Sequence, residues 1–583
     1  MNLNKLFESI KEASMDKKLV PGFSLAIILL CSNSSIASNI ADAAMNGDAA
    51  NIRELIALGV DIDEPQSTGA TALHWVVQRN ELTLVQQLLR AGANPSIANR
   101  LGIPPLQLAA VNGNADIISE LIEAGANPNT PVTPSGDTAL MLAARTGIPA
   151  AVKVLLDSGA DVNARESWGL TSPLMWAINE NHVTVAKMLI DHGAELDSVS
   201  VFIPPDTGRG FEGAGPRERL ETETGDVIYA SGELTPLLIA AREGHMESVR
   251  LLLDAGADIN AVAADGKNAL ALAIFNGHYA IGSYLIDRGI DPTKVDAQNF
   301  TPLFWAVDRR NMETAPNFPW MVTDDPLSLI RQMLDAGVDP NYLVDNTPRA
   351  RMRGGSPRIV FATALMRAAF SADLELFNLL LKYGADPHIM SKDGETSLSA
   401  AAATGWIAGF HIARSSKDRL QIIKKLVELG SDVNWHDNYG ITPLMTAANF
   451  GDVEIIQYLI DAGADLGAYD LGKKNDGAFG ASIEPLMPVD YAIGVGTFRP
   501  NNAIVFNEEA TELMFMEMKK RGIEHTTSEC TLRGFTCAAV NMDPRAATPA
   551  DIARARRLQT GYQVEEITTF SGLSVTEDTK TSE

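Results

Sequence analysis

The chain has 583 residues, 46% hydrophobic and 21% charged, with a formal net charge of -26. This composition excludes a disordered chain and a membrane-spanning one. The length exceeds a single ordinary core, which stops growing beyond roughly 250–300 residues, so several domains or a repeat array must fill it. The negative charge argues against nucleic acid, whose phosphates need clustered Lys and Arg, and against anionic lipid.

Residues 1–37 read as a secretory signal. Lys17 and Lys18 precede the apolar run Phe23 to Leu30, and Ser35-Ile36-Ala37 places small residues where a signal peptidase reads, so cleavage is expected after Ala37. The run is shorter than the roughly 20 residues of a spanning helix. Met15 is an alternative start. Cys31 raises a lipid anchor, but Leu30 stands where a lipobox needs a small residue. The expected location is the periplasm, with the extracellular space as the alternative.

Self-similarity then fills the chain. Thr71-Ala72-Leu73-His74 is followed by Ala91-Gly92-Ala93-Asn94, and Pro105-Leu106 by Ala124-Gly125-Ala126-Asn127. Thr138-Ala139-Leu140 leads to Ser158-Gly159-Ala160-Asp161, and Pro173-Leu174-Met175 to His192-Gly193-Ala194. The marker recurs at Thr235-Pro236-Leu237, Asn268-Ala269-Leu270, Thr301-Pro302-Leu303, Thr363-Ala364-Leu365, Thr396-Ser397-Leu398 and Thr442-Pro443-Leu444. From 235 to 301 is 66 residues, two periods of 33, with position 268 midway. Ten copies can be placed, with a truncated first unit around Ile40–Asp63 and a divergent last one at Pro485-Leu486-Met487.

This pattern resembles the ankyrin family over roughly residues 40–520. The resemblance implies an all-α repeat solenoid of about ten full helix-turn-helix-hairpin repeats with atypical end caps. Thr caps the first helix and Pro fits its first turn, where no N–H is needed. The second helix carries an apolar stripe such as Ile455, Ile456, Leu459 and Ile460, and the Gly of Ala462-Gly463-Ala464 follows in a left-handed conformation. No unit buries its own apolar face, so stacking builds one continuous core.

The expected organisation is a capping repeat at 38–66, repeats at 67–197, an inserted loop at 198–232, and repeats at 233–468. Insertions interrupt the latter at 310–325, 343–361 and 405–419; a divergent cap follows at 469–540 and a partly disordered tail at 541–583. Insertions map to loops that carry function. The first holds Trp320 beside Phe318, the second Arg349, Arg351, Arg353 and Arg358, the third Trp406, Phe410 and His411. The arginines either pair with the protein's own acids, dock an acidic partner or hold a small anion. The aromatic residues are either tucked onto the array or partner anchors.

The resemblance further implies binding on the concave face, at hairpin tips and first-helix ends. Carried over, these are Arg79 with Gln78, Arg145 with Thr146, Arg242 with Glu243, Phe275 with Asn276, and Arg309 with Asp308. Phe370 with Ser371 and Phe450 with Asn449 complete the row. The three phenylalanines form an apolar binding stripe or pack under insertions; both readings stand. In the cap, Leu486 to Ile493 reads as a degenerate first helix and Glu508 to Lys520 as a second, with Cys530 and Cys537 able to close a disulfide in an oxidising compartment.

No sequence signature of catalysis, metal or cofactor emerges. His74 belongs to the repeat motif and is expected to bridge backbone groups, and His182, His245 and His278 fill the Gly-His turn. The expected function is a non-catalytic scaffold for a protein partner, with no nucleic acid, no cofactor and no membrane insertion after cleavage. As a monomer or a subunit of a hetero-complex, it is alternatively an assembly factor or stable subunit of an exported enzyme or redox complex, or a secreted effector. An enzyme hidden in the cap is the outlying reading.

Overall fold

The computed structural model describes residues 39–132, 135–203, 220–221, 227–228, 231–297, 299–311, 325–344, 363–403, 415–471, 485–493 and 507–525. These contain 24 helices, hence twelve consecutive pairs, and two two-stranded sheets. The expected all-α repeat solenoid is the fold observed. Repeats 1 to 4 pair Ile40–Asn46 with Ala49–Leu58, Ala72–Gln78 with Leu82–Arg90, Pro105–Asn112 with Ala115–Glu123, and Ala139–Thr146 with Pro149–Asp157. Repeats 5 to 8 pair Pro173–Asn179 with Val183–Asp191, Pro236–Glu243 with Met246–Asp254, Ala269–Phe275 with Tyr279–Asp287, and Pro302–Arg310 with Leu327–Asp335. Repeats 9 to 12 pair Ala364–Phe370 with Leu374–Lys382, Ser397–Ala402 with Ser416–Glu428, Pro443–Phe450 with Val453–Asp461, and Pro488–Ile493 with Glu508–Arg521.

The chain divides into two compact units, Met1–Ala143 with Ala150–Ala160, and Ala144–Pro149 with Asp161–Glu583. In the first unit the first helices of repeats 1, 2 and 3 pack in succession. In the second, each first helix from repeat 5 to repeat 12 packs on the next, so no insertion interrupts the row.

Local chemistry explains the helix starts. The side chains of Ser172, Thr235, Thr301, Thr363, Thr396 and Thr442 each accept the amide of the residue three further on. Each such cap stabilises its helix by about 1 kcal/mol. Pro173, Pro236, Pro302 and Pro443 occupy the first helical turn, where a missing N–H does no harm. The core is the repeated Leu and Ala pattern, exemplified by Leu237, Ala240 and Ala241, all buried.

Hairpin roots are tied by a second set of bonds. The Asn163 side chain donates to the Gly193 carbonyl (3.1 Å) and accepts the Glu195 amide (2.8 Å). Asn341 does the same with Gly384 and Asp386, and Asn434 with Gly463 and Asp465. Asp197 takes this part before the insertion at 198–232, accepting the Asp258 amide at 2.9 Å. Repeats 5 and 6 therefore join as ordinary neighbours.

That insertion, expected as a loop, contains strands. Phe202–Ile203 pairs antiparallel with Ser231–Gly232, and Leu220–Glu221 with Val227–Ile228. Two-residue strands carry too little alternation to be read from sequence.

Candidate functional site

The side chains carried over from the repeat pattern gather at first-helix ends. In the first unit, Arg79 pairs with Glu81 at 2.7 Å. In the second, the Arg145 guanidinium lies 4.9 Å from the Trp176 ring centre. Arg242 pairs with Glu243 at 2.7 Å. Arg309 sits 4.6 Å above the Phe275 ring, which meets Trp305 edge-on at 5.1 Å. Such cation–ring contacts pre-set an arginine's direction. Phe275 and Phe450 are half-buried. Phe370 is only 1% exposed, so it takes the packed reading and offers nothing to a partner. Its burial follows from its place between the stacked helices of repeats 8 and 10. Trp320, Arg349, Arg351, Arg353, Arg358, Trp406, Phe410, Cys530 and Cys537 lie outside the described residues.

A ladder of polar contacts fixes the row from beneath. His182, His245 and His278 each set Nε2 3.1 Å from a first-helix carbonyl of the preceding repeat, of Arg145, Asn179 and Arg242 respectively. Gly244, at φ 84°, makes room for this: a Cβ there would meet the His278 ring at 2.5 Å. The Gly of one repeat and the His of the next are therefore one device. Asn507 performs the same task at the end of the chain's array, its amide donating to the carbonyls of Ala448 and Asn449. His74 acts elsewhere: Nδ1 accepts the Thr71 amide at 3.1 Å, so Nε2–H donates to the Ile103 carbonyl at 3.1 Å.

In repeats 8 to 10, buried charge takes the place of this device. Arg310 stands where repeats 6 and 7 have Gly244 and Gly277, and Asp373 where repeats 5 to 7 have His. Arg310 Nε donates to Asp373 Oδ2 at 2.7 Å, its other nitrogens reaching Asp325 and Glu375. Arg367 pairs with Asp308 at 2.9 Å and donates to the Asn311 carbonyl at 3.1 Å. In repeat 10, Arg419 reaches the carbonyls of Phe370, Ala401 and Ala403. Burial pulls the Arg419 guanidinium down to about 10, against the opposing charge of Asp452. These arginines were invisible as a set in the sequence, because most repeats lack Gly-His at this place and its loss singles out none of them.

The cap holds a further pair. His525 Nε2 lies 2.7 Å from Asp490 Oδ1, both buried, with the ring edge-on to Phe515. Asp490 also accepts the Met487 amide at 2.7 Å, and the Tyr491 hydroxyl donates to Asp470 at 2.5 Å. Thirty-odd residues of separation hid this clasp. Among the described residues, no three His, Cys, Asp or Glu side chains converge as a metal site, and no helix is long and apolar enough to cross a membrane.

The ladder yields a pH effect. Burial lowers the His278 pKa below its ordinary 6.5, outweighing the Arg242 carbonyl and the Glu243 charge. A lowered native pKa means the unfolded chain binds the proton better. His278 therefore contributes stability above pH 6.5 that is lost as pH falls through the lower native value. His278→Asn keeps an N–H donor for the Arg242 carbonyl, as Asn507 supplies one to Ala448 and Asn449, and removes the titration. Chemical denaturation at pH 7.5 and pH 5 is expected to show a smaller loss in this variant than in the parent.

A family model of three ankyrin repeats matches residues 40–132, 73–166, 131–200, 221–296, 237–316 and 365–470, more than half of the chain. The chain belongs to the ankyrin-repeat family. It is similar to the ankyrin repeat protein YahD of Escherichia coli, 28% identical over 230 residues, covering 39% of this chain and 95% of that protein. It is also similar to ankyrin repeat protein nuc-2 of Neurospora crassa, 26% identical over 269 residues, 41% of this chain but 22% of that protein. Among solved structures, the ankyrin repeat domain of Bcl-3 aligns at 28% identity and a TM-score of 0.33, covering 41% of this chain and 94% of that one. Ankyrin repeats in general mediate protein–protein interaction.

Proposed function

We propose that the chain is a non-catalytic scaffold, exported from the cytoplasm, that grips a protein partner with its first-helix ends, hairpin tips and inserted loops. The observation that carries this reading is the pre-set row Arg145 on Trp176, Arg242 beside Glu243, and Arg309 on Phe275. Side chains already held in place lose little entropy when a partner arrives. The non-catalytic reading is supported by the histidines, since His74, His182, His245 and His278 are each spent on a backbone carbonyl. Export is supported by the basic-then-apolar run from Lys17 to Leu30.

Crosslinking in the cell that makes the protein, fraction by fraction, tests both parts. The expected result is one protein recovered with the chain in the periplasmic or extracellular fraction. Recovery only in the cytoplasm removes export from the proposal. Stoichiometric co-purification through a large apolar interface favours a stable subunit over a transient scaffold.

A further inference from the structure

Among the described residues, and outside the row described above, a run of exposed apolar side chains lies on three successive hairpin tips of the second unit. Met390 is 46% exposed, Trp435 39%, Tyr439 39%, Tyr469 46% and Leu471 65%. The tips are one piece. The Asn438 amide donates to the Asp393 carbonyl at 2.8 Å, and the Leu471 amide to the Tyr439 carbonyl at 2.8 Å. Trp435 Nε1–H donates to the Gly394 carbonyl at 2.9 Å, anchoring the indole by its polar edge. Gly440, at φ 81°, permits the closest approach: a Cβ there would meet the Leu471 amide nitrogen at 2.7 Å. Below, Asp437 accepts the amides of Tyr439 and Ile441, both at 2.8 Å. The result is a ledge of fixed backbone that presents large rings.

The residue at this place varies between hairpins. Trp435 follows the Asn that ties the hairpin root; at the same place three other hairpins carry the small Thr130, Ala164 and Ala261, and another carries Tyr342, whose hydroxyl donates to Asn299. The Trp435 side chain stays exposed, so much of the indole adds surface rather than core. Trp and Tyr are the side chains that anchor protein interfaces.

Charge selects the occupant. Among the described residues, the exposed or half-exposed acids on these tips are Asp386, Asp393, Glu395, Asp432 and Asp465, against one Lys or Arg, Lys392. The whole chain carries -26, so a second copy would bring the same acids to the same ledge and be repelled. A basic segment is attracted both by these carboxylates and by ring faces, which favour cations.

We propose that the ledge of Met390, Trp435, Tyr439, Tyr469 and Leu471 docks a segment of a partner protein in which Lys or Arg alternates with aliphatic side chains. This rests on the scaffold reading and names the chemistry of one of its contacts. The test selects binders from a random peptide library with the full chain, then measures them against the triple variant Trp435→Ala/Tyr439→Ala/Leu471→Ala. The variant keeps every charge, so non-specific attraction is unchanged. Selected peptides are expected to be rich in Lys or Arg and aliphatic residues, and to bind the variant at least about tenfold more weakly. Should the triple variant melt early, Leu471→Ser alone, at the most exposed position, is expected to weaken binding in the same direction. Acidic or proline-rich selectants, no selectants, or equal binding by the variants overturns the proposal. If the triple variant still captures the crosslinked partner of the parent chain, the ledge falls while the scaffold stands. If the parent captures neither peptide nor protein, both fall.

Discussion

Replacing Arg310 with alanine is expected to destabilise repeats 8 and 9 by about 3–5 kcal/mol, the cost of leaving a buried charge without its partner. Arg310 is 6% exposed in its side chain and Asp373 is wholly buried. Asp373 also caps the second helix of repeat 9 by accepting the Leu376 amide at 3.3 Å. Burial alone would pull the Arg310 guanidinium down; bonds to Asp325 and Asp373 outweigh it and hold the group well above its ordinary range. The arginine thus stays charged at every pH where the protein folds. Removing it leaves the buried Asp373 carboxylate without the Arg310 charge.

The partner variant separates lost attraction from stranded charge. Arg310→Leu with Asp373→Asn keeps a cap and removes both charges, so it is expected to recover much of the loss. Denaturant titration gives the total, and hydrogen exchange over Ala364–Lys382 locates it, because repeat arrays open locally. A loss below about 1 kcal/mol in Arg310→Ala, typical of a surface pair, contradicts the buried-charge account.

Trp305→Ala is the second large effect, expected at about 3–5 kcal/mol. The indole is 1% exposed. It meets Phe275 at 5.1 Å and Phe300 at 4.9 Å, both edge-on, and its Nε1–H donates to Asp296 at 2.8 Å. The Lys267 ammonium lies 5.4 Å from the ring and 3.5 Å from Asp296. Truncation opens a cavity, removes a donor from a buried carboxylate and takes the support from under Phe275. Thermal unfolding is expected to begin at a lower temperature, and partner capture through the Phe275–Arg309 pair to weaken with it. An unchanged melting profile means that Trp305 does not organise this face.

How much of this was legible varies by residue, for physical reasons. The repeat was legible because Thr, Pro and Leu recur with the helix pair they build, and the ten markers coincide with the starts of ten first helices. The cap helices were also visible, through Pro485-Leu486-Met487 and an amphipathic run; they span Pro488–Ile493 and Glu508–Arg521, the first beginning two residues after the expected Leu486. Burial was harder. Phe370 and Phe275 occupy the same register, yet one is enclosed and the other half-open. Their partners differ and lie tens of residues away, Trp305 for Phe275 and Arg419 for Phe370, which no local pattern reports. The ledge escaped for a related reason: an aromatic residue in one hairpin says little until the next two hairpins bring theirs beside it.

Photocrosslinking with the probe at Glu180 and at Glu243, compared with Lys187 and Arg250 on the second helices, tests the binding claim most directly. All four side chains are exposed. The account predicts the same protein adduct from the first two positions and none from the others. Adducts from Lys187 and Arg250 alone, or from no position at all, contradict it.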